Sequence, residues 1–169
     1  GRRGRGAWAH CRPVLPSRAA LKIEHARHFR GRFTLPGDKS ISHRAAILGA
    51  MAEGRTRVRN YSSAADCAST LACLRALGVS ISRDGALVTI DGGGLDAWRA
   101  PAAVLDAENS GSTIRMLAGA LAGRPFRSVL TGDESLRRRP LERVAAPLRA
   151  MGASVLTTDG KPPMTIEGG

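Results

Sequence analysis

The 169-residue chain is poor in aromatics, at 4%, and holds three cysteines and no long apolar run. Each shortage excludes something. With no apolar run of membrane-spanning length, there is no membrane segment to place. Cys11, Cys67 and Cys73 make neither a disulfide framework nor a zinc pattern. Cys67 and Cys73 fall in a helical stretch and read as packing residues in a reducing compartment, so a cytoplasmic location is expected. The four histidines show no metal-ligand spacing. No Ser-His-Asp or Cys-His order stands out, and no two carboxylates offer themselves as an acid/base couple. The chain begins with Gly and stops at Gly168-Gly169 after a strand-like run, and both ends read as cut.

Acids are scarce too, 14 against 26 Lys and Arg, for a formal charge of +12. Such an excess invites a nucleic-acid reading, so its location matters. Residues 1–32 hold nine basic residues and one acid, Glu24, whereas 33–169 hold seventeen and thirteen. Two thirds of the excess therefore sits at the N-terminus. We read residues 1–28 as a basic tail, either a leader or an upstream segment that does not fold, and 29–169 as a mildly basic body. The tail has no sustained amphipathic period and few aromatics for base stacking, which argues against a nucleic-acid arm.

What is there is organised around Leu35-Pro36-Gly37-Asp38-Lys39-Ser40-Ile41-Ser42-His43-Arg44. It reads as a strand end, a Pro-Gly turn and a helix start, with Ser40 and Ser42 as candidate N-caps. A helix follows from about Ser42 to Glu53. Lys39 sits at the positive helix end, and Arg44 shares a face with Ser40. Hydroxyl, ammonium, guanidinium and free amides would converge on an anion such as phosphate or carboxylate. A Walker A loop does not fit, because Asp38 stands where Gly must precede the Lys. His43 is a candidate base by position, with a packed side chain as the simpler reading.

Beyond this helix the chain repeats itself. Thr56–Tyr61 alternates like a strand, and a helix over 65–77 carries the stripe Cys67, Leu71 and Leu74. Short strands at 79–81 and 87–90 flank a turn at Asp84-Gly85. The plan then returns: a strand at Val104-Leu105, a polar turn Asn109–Ser112, and a helix with Ile114, Leu117, Ala118 and Leu121. A strand over 126–131 follows, then a helix over 140–151 kinked by Pro147, and a hairpin around Asp159-Gly160. Leu74-Arg75-Ala76-Leu77-Gly78 is echoed 74 residues later by Leu148-Arg149-Ala150-Met151-Gly152. Ile90-Asp91-Gly92-Gly93 is echoed 76 residues later by Ile166-Glu167-Gly168-Gly169. The fold class is α/β, with two β-α-β-α-β-β units at about 33–94 and 103–169.

Three helix starts carry cations. Lys39 opens the first. In the second, Asn109 and Ser110 supply caps, Gly111 lets a ligand approach the backbone, and Arg115 follows one turn on. In the third, Pro140 at the first helical position puts Arg139 at the cap, while Arg137 and Arg138 read as a solvated basic loop. Three such starts suggest a cleft for small polyanions, and group transfer by positioning and charge stabilisation. Nothing calls for a metal or cofactor.

The three motifs, Leu35–Arg44, Asn109–Arg115 and Gly132-Asp133-Glu134-Ser135-Leu136 through Arg139-Pro140, together resemble the 3-phosphoshikimate 1-carboxyvinyltransferase family. These are the 5-enolpyruvylshikimate-3-phosphate synthases of aromatic amino-acid biosynthesis, in the shikimate pathway. The resemblance covers about Phe29 to Gly169, the N-terminal part of a family member. It implies the enolpyruvyl transferase fold, and transfer of the enolpyruvyl group of phosphoenolpyruvate to the 5-hydroxyl of shikimate 3-phosphate with release of phosphate. It also implies a cofactor-free, monomeric enzyme when complete. By motif position, Lys39 contacts both substrates and is the one catalytic candidate. Ser40 and Arg44 hold shikimate 3-phosphate, Gly111 and Arg139 hold phosphoenolpyruvate, and Asn109 and Arg115 support that loop. Gly111 looks like the glyphosate-sensitive form at that position.

Two departures stand out. Glu108 replaces the usual Gly, and its carboxylate either weakens phosphoenolpyruvate binding or points away. The family's acidic catalytic residues lie in a second half not present in these residues, so the fragment alone is expected to be inactive. Two alternatives remain at this stage. A UDP-N-acetylglucosamine enolpyruvyl transferase characteristically carries Lys-Asn where this chain has Lys39-Ser40. A nucleic-acid-binding protein would rest on the tail alone.

Overall fold

The computed structural model describes residues 25, 28 and 30–168. The chain divides into two units, Gly1–Phe33 and Thr34–Gly169. The described residues of the first carry no helix or strand, and the basic tail 1–28 lies almost wholly outside the described residues.

The second unit opens with α1 (Lys39–Met51), β1 (Glu53–Val58), α2 (Ala65–Ala76), β2 (Ser80–Asp84) and β3 (Leu87–Gly93). The strands form an antiparallel sheet in the order β1-β3-β2. Then come β4 (Leu105–Asp106), α3 (Gly111–Leu121), β5 (Arg127–Thr131), α4 (Glu134–Arg137), α5 (Glu142–Ala150), β6 (Ser154–Thr158) and β7 (Lys161–Glu167). This second sheet has the order β4-β5-β7-β6, with β4 and β5 parallel and the rest antiparallel. Strands β1-β3-β2 and β5-β7-β6 are thus the same arrangement made twice, and the α/β fold with its repeated plan is as expected.

Each sheet packs one face on helices. Leu71, Leu74 and Leu77 from α2 and its cap, Ile114, Leu117 and Leu121 from α3, and Ile90, Leu130 and Met164 from the strands are fully buried. Each such side chain contributes roughly 1.5–3 kcal/mol relative to exposure. The stripes read on α2 and α3 are therefore the faces that meet the core. Both hairpins form. The β2–β3 loop is Gly85-Ala86, one residue beyond the expected centre, with Asp84 paired to Leu87. The β6–β7 loop is Asp159-Gly160, both residues at positive φ, which suits the twist of the flanking strands.

Four expectations are corrected. Among the described residues no strand precedes α1: Pro36 has no amide to give to a ladder, and the Leu35 carbonyl accepts instead from Asn60 Nδ2 at 3.3 Å. Helix α1 starts at Lys39, capped by Asp38, whose carboxylate accepts from the Ile41 amide at 2.7 Å. Ser40 is therefore inside the helix. Ser42 is a buried tie, donating to the Asp38 carbonyl at 2.7 Å and accepting from the Ser62 amide at 3.0 Å. Finally, α5 starts at Glu142 with Leu141 as its cap residue, so Arg139 does not cap that helix. Arg139 instead follows α4, a short helix that takes the place of the expected basic loop.

Gly37 shows why the turn before α1 needs glycine. A Cβ there would lie 1.7 Å from the Asn60 carbonyl oxygen. The turn and the segment leading to α2 pass backbone against backbone, which sets α1 beside α2.

Candidate functional site

One cleft of about 320 Å³ is lined by Lys39, Asp66, Gly111, Ser112, Arg115, Met116 and Arg139. Three of its side chains are cations, drawn from α1, α3 and the end of α4. The fourth charged side chain is Asp66, in the first turn of α2, which is paired with Lys39.

The first turn of α3 forms the cleft's back wall. Ser110 caps it, accepting from the Thr113 amide at 3.1 Å. Gly111 and Ser112 follow, so the first-turn amides and the positive helix end face the cleft. Arg115, one turn along, donates from Nη1 to the Gly111 carbonyl at 3.0 Å and from Nη2 to the Pro140 carbonyl at 3.2 Å. It ties the start of α3 to the segment carrying Arg139. A Cβ on Gly111 would lie 2.4 Å from Arg115 Nη1 and 3.3 Å from Arg139 Nη1, so both guanidiniums crowd this one backbone position.

Arg139 is placed by a short polar chain. Its Nη2 donates to Asn109 Oδ1, and Asn109 Nδ2 donates to Asp133 Oδ2 at 2.6 Å. Asp133 also caps α4, accepting from the Leu136 amide at 2.7 Å. The Asn109 bond first, and the Leu136 amide second, hold the Asp133 carboxyl below its ordinary value. Asn109 and Arg115 are thus supports of the wall that Gly111 and Arg139 share. Arg137 and Arg138 bond locally, to the Gly132 carbonyl at 2.8 Å and to Glu134 at 2.6 Å.

Ser40 and Arg44 are not brought into this cleft. Ser40 is exposed in the first turn of α1. Arg44 is exposed beside Ile47, Leu48 and Met116, in a neighbouring shallow pocket. Met116 alone lines both. Glu108 turns its carboxylate away: Oε2 accepts from Ser69 Oγ on α2 at 3.1 Å. Its φ of 51° is a conformation that suits glycine, which explains why a Gly fits there.

Sequence reasoning missed Asp66. Its signal was a carboxylate in the first turn of a helix, where most carboxylates serve only the helix dipole. Only the packing of α2 against α1 aims it at Lys39.

Comparison with known proteins gives the family. The family model for EPSP synthase (3-phosphoshikimate 1-carboxyvinyltransferase) matches residues 23–169. The chain is 54% identical over 149 residues to the 3-phosphoshikimate 1-carboxyvinyltransferase of Solibacter usitatus, covering 88% of this chain and 35% of that protein. It is 49% identical over 151 residues to the Bacillus velezensis protein of the same name, with the same coverage. The solved structure of EPSP synthase from Acinetobacter baumannii superposes with a TM-score of 0.79 at 48% identity, over 82% of this chain and 32% of that one. The chain spans about a third of the length of the curated relatives it matches.

Proposed function

The chain belongs to the EPSP synthase (3-phosphoshikimate 1-carboxyvinyltransferase) family, and from that premise we propose that its cleft is the N-terminal share of an enolpyruvyl transferase site. The reaction is transfer of the enolpyruvyl group from phosphoenolpyruvate to the 5-hydroxyl of shikimate 3-phosphate, with release of phosphate. The observation that carries this reading is the convergence of Lys39, Arg115, Arg139 and the start of α3 on one cleft. Phosphoenolpyruvate is a compact anion with a phosphate and a carboxylate. The Gly111 end of α3 and the Arg139 guanidinium suit one such group each, the helix as an amide cradle and the arginine as a planar fork.

Lys39 stands across from them on α1, where it would meet both substrates. Ser40 and Arg44, exposed further along the same helix, would hold shikimate 3-phosphate. These groups act by holding two anions side by side and offsetting charge that builds as the new C–O bond forms. The protein would work in the cytoplasm, as a monomer when complete and without a cofactor.

Titration of the chain with phosphoenolpyruvate, followed by amide NMR, tests this. The Gly111 and Ser112 amides should shift. Arg139→Ala and Lys39→Met should each weaken binding by about tenfold or more, as expected for loss of a charge-assisted hydrogen bond. Unchanged dissociation constants in both variants, or shifts confined to other regions, would overturn the reading.

A further inference from the structure

A chain of buried polar side chains runs beneath the cleft. His43 is fully buried, and its Nδ1 lies 2.6 Å from Thr70 Oγ1. Thr70 Oγ1 lies 2.6 Å from Thr113 Oγ1, and Thr113 Oγ1 lies 2.7 Å from the Oγ of Ser110, the cap of α3. Thr70, Thr113 and Ser110 are also fully buried. The Thr113 and Thr70 hydroxyls reach the Asp66 backbone carbonyl at 3.2 and 3.4 Å. The chain therefore joins α1, α2 and α3.

Its spacing mirrors the cleft. His43 is four residues after Lys39 and so on the same face of α1. Thr70 is four residues after Asp66 on α2, and Thr113 lies in the turn that Gly111 opens on α3. His43 and Thr70 each sit one turn below a residue that lines the cleft, and Ser110 and Thr113 flank Gly111 and Ser112, which line it.

The protonation pattern can be worked out from the partners. His43 Nε2 is buried with no hydrogen-bond partner among the described residues. If Nδ1 were the acceptor, the proton would sit on Nε2 as a buried donor without an acceptor, the costlier defect. With the proton on Nδ1, His43 donates to Thr70, Thr70 donates to Thr113, and Thr113 donates to Ser110 or the Asp66 carbonyl. Burial, the dominant influence, also pushes the imidazole below its ordinary value, as does Lys39, while Asp66 opposes them.

We infer that His43 is a positioning residue for the cleft: as the Nδ1–H tautomer it fixes, through Thr70 and Thr113, where the start of α3 stands relative to Lys39 and Asp66. It touches no substrate. This inference rests on the proposed function for its effect on binding, but its structural part stands separately. Contacts of 2.6 Å from α1 to α2 and from α2 to α3 leave little room for slip. Displacement of a positioned group by about 1 Å is enough to cost a large factor in rate.

The test uses the 169-residue chain and three variants. Thr70→Val cuts the relay with little change of shape. His43→Leu removes the donor, and His43→Asn keeps an N–H one bond from Cγ, where Nδ1 was. Long-range ¹H–¹⁵N NMR of the imidazole should show the Nδ1–H tautomer. The Gly111 and Ser112 amides should shift in Thr70→Val and His43→Leu and return toward wild type in His43→Asn. Binding of phosphoenolpyruvate should weaken by about tenfold in the first two variants, the loss expected for a buried hydrogen bond, and by less than about twofold in His43→Asn. A purely packing role would lower the melting temperature and leave the dissociation constant of the folded chain unchanged, which would overturn the inference. An Nε2–H tautomer, or Gly111 and Ser112 amides unmoved in Thr70→Val, would overturn it too. If wild type binds no phosphoenolpyruvate, the functional reading fails, and the tautomer and amide shifts alone decide the role of His43.

Discussion

At residue 111 the absence of a side chain leaves room for two guanidiniums. The close approach of Arg115 Nη1 and Arg139 Nη1 means that a methyl group there competes with the guanidiniums for space. Both are the far ends of flexible side chains, so the fold has room to respond, and Ala is a better helix former than Gly by up to about 1 kcal/mol. We expect Gly111→Ala to leave the melting temperature equal or higher while weakening phosphoenolpyruvate binding by about tenfold, through displaced charge-assisted contacts. Calorimetric titration beside a melting curve would check it; unweakened binding would show that neither guanidinium needs its present place. Glu108 makes the complementary case. Its carboxylate is satisfied by Ser69 and is not among the residues lining the cleft. If Glu108 is shortened, the single Ser69 hydroxyl proton can go to the Ala65 carbonyl, 3.1 Å away. Glu108→Gly should therefore leave ligand affinity within about twofold and raise stability by at most about 1 kcal/mol, from relief of the left-handed backbone. A large gain in affinity would mean that the carboxylate acts on the cleft despite facing α2.

The elements divide into those written in the local sequence and those set by distant partners. The apolar stripes of α2 and α3 and the two Gly-containing hairpins are local patterns, and they form where the sequence predicts. The start of α1 is different. Asp38-Lys39-Ser40-Ile41-Ser42 holds three residues able to cap within five positions, so composition cannot choose among them. The choice falls to Asp38 because Ser42 is drawn to the Ser62 amide and Gly37 is pressed against Asn60. Residue 38 is then the last with extended backbone, at φ −65° and ψ 134°. Asp38→Ala should cost about 0.5–2 kcal/mol, the range for a lost N-cap. Urea denaturation would show it as a lower midpoint at unchanged slope, whereas Ser40→Ala should cost under about 0.5 kcal/mol, as an exposed residue inside the helix that does not cap it. A larger loss from Ser40→Ala would restore it as the cap. Helix α4 was hidden for a similar reason. Its sequence, Glu134 to Arg137, is too short for periodicity, and it exists because Asp133 caps it while also holding Asn109. The placement of Arg139 thus came from a polar chain 24 to 30 residues apart in sequence, not from the proline beside it.

At the scale of the whole molecule, the cleft holds charge well and moves protons poorly. Enolpyruvyl transfer needs one group to take a proton from the attacking hydroxyl and one to give a proton to the methylene carbon. Among the described residues, Asp66 is the one carboxylate lining the cleft, and it is engaged with Lys39. His43 lies beneath the surface, fully buried, with Nδ1 committed to Thr70. The faces around the site are also open. Ile41 and Leu48 on α1 are each 61% exposed, seven residues and two turns apart on one face, and Arg44 lies between them. An apolar stripe with a cation at its centre is a poor surface to leave in water and a good one to close over a bound anion. The relatives are about two and a half times as long, which leaves room in them for material that covers that face and supplies acid and base. We therefore expect these 169 residues to bind phosphoenolpyruvate but not to turn it over. With shikimate 3-phosphate and phosphoenolpyruvate both present, phosphate release should stay at the no-protein background. Release above that background, abolished by Lys39→Met, would show that Lys39 and Asp66 can manage both protons alone, and that the open face needs no cover for chemistry.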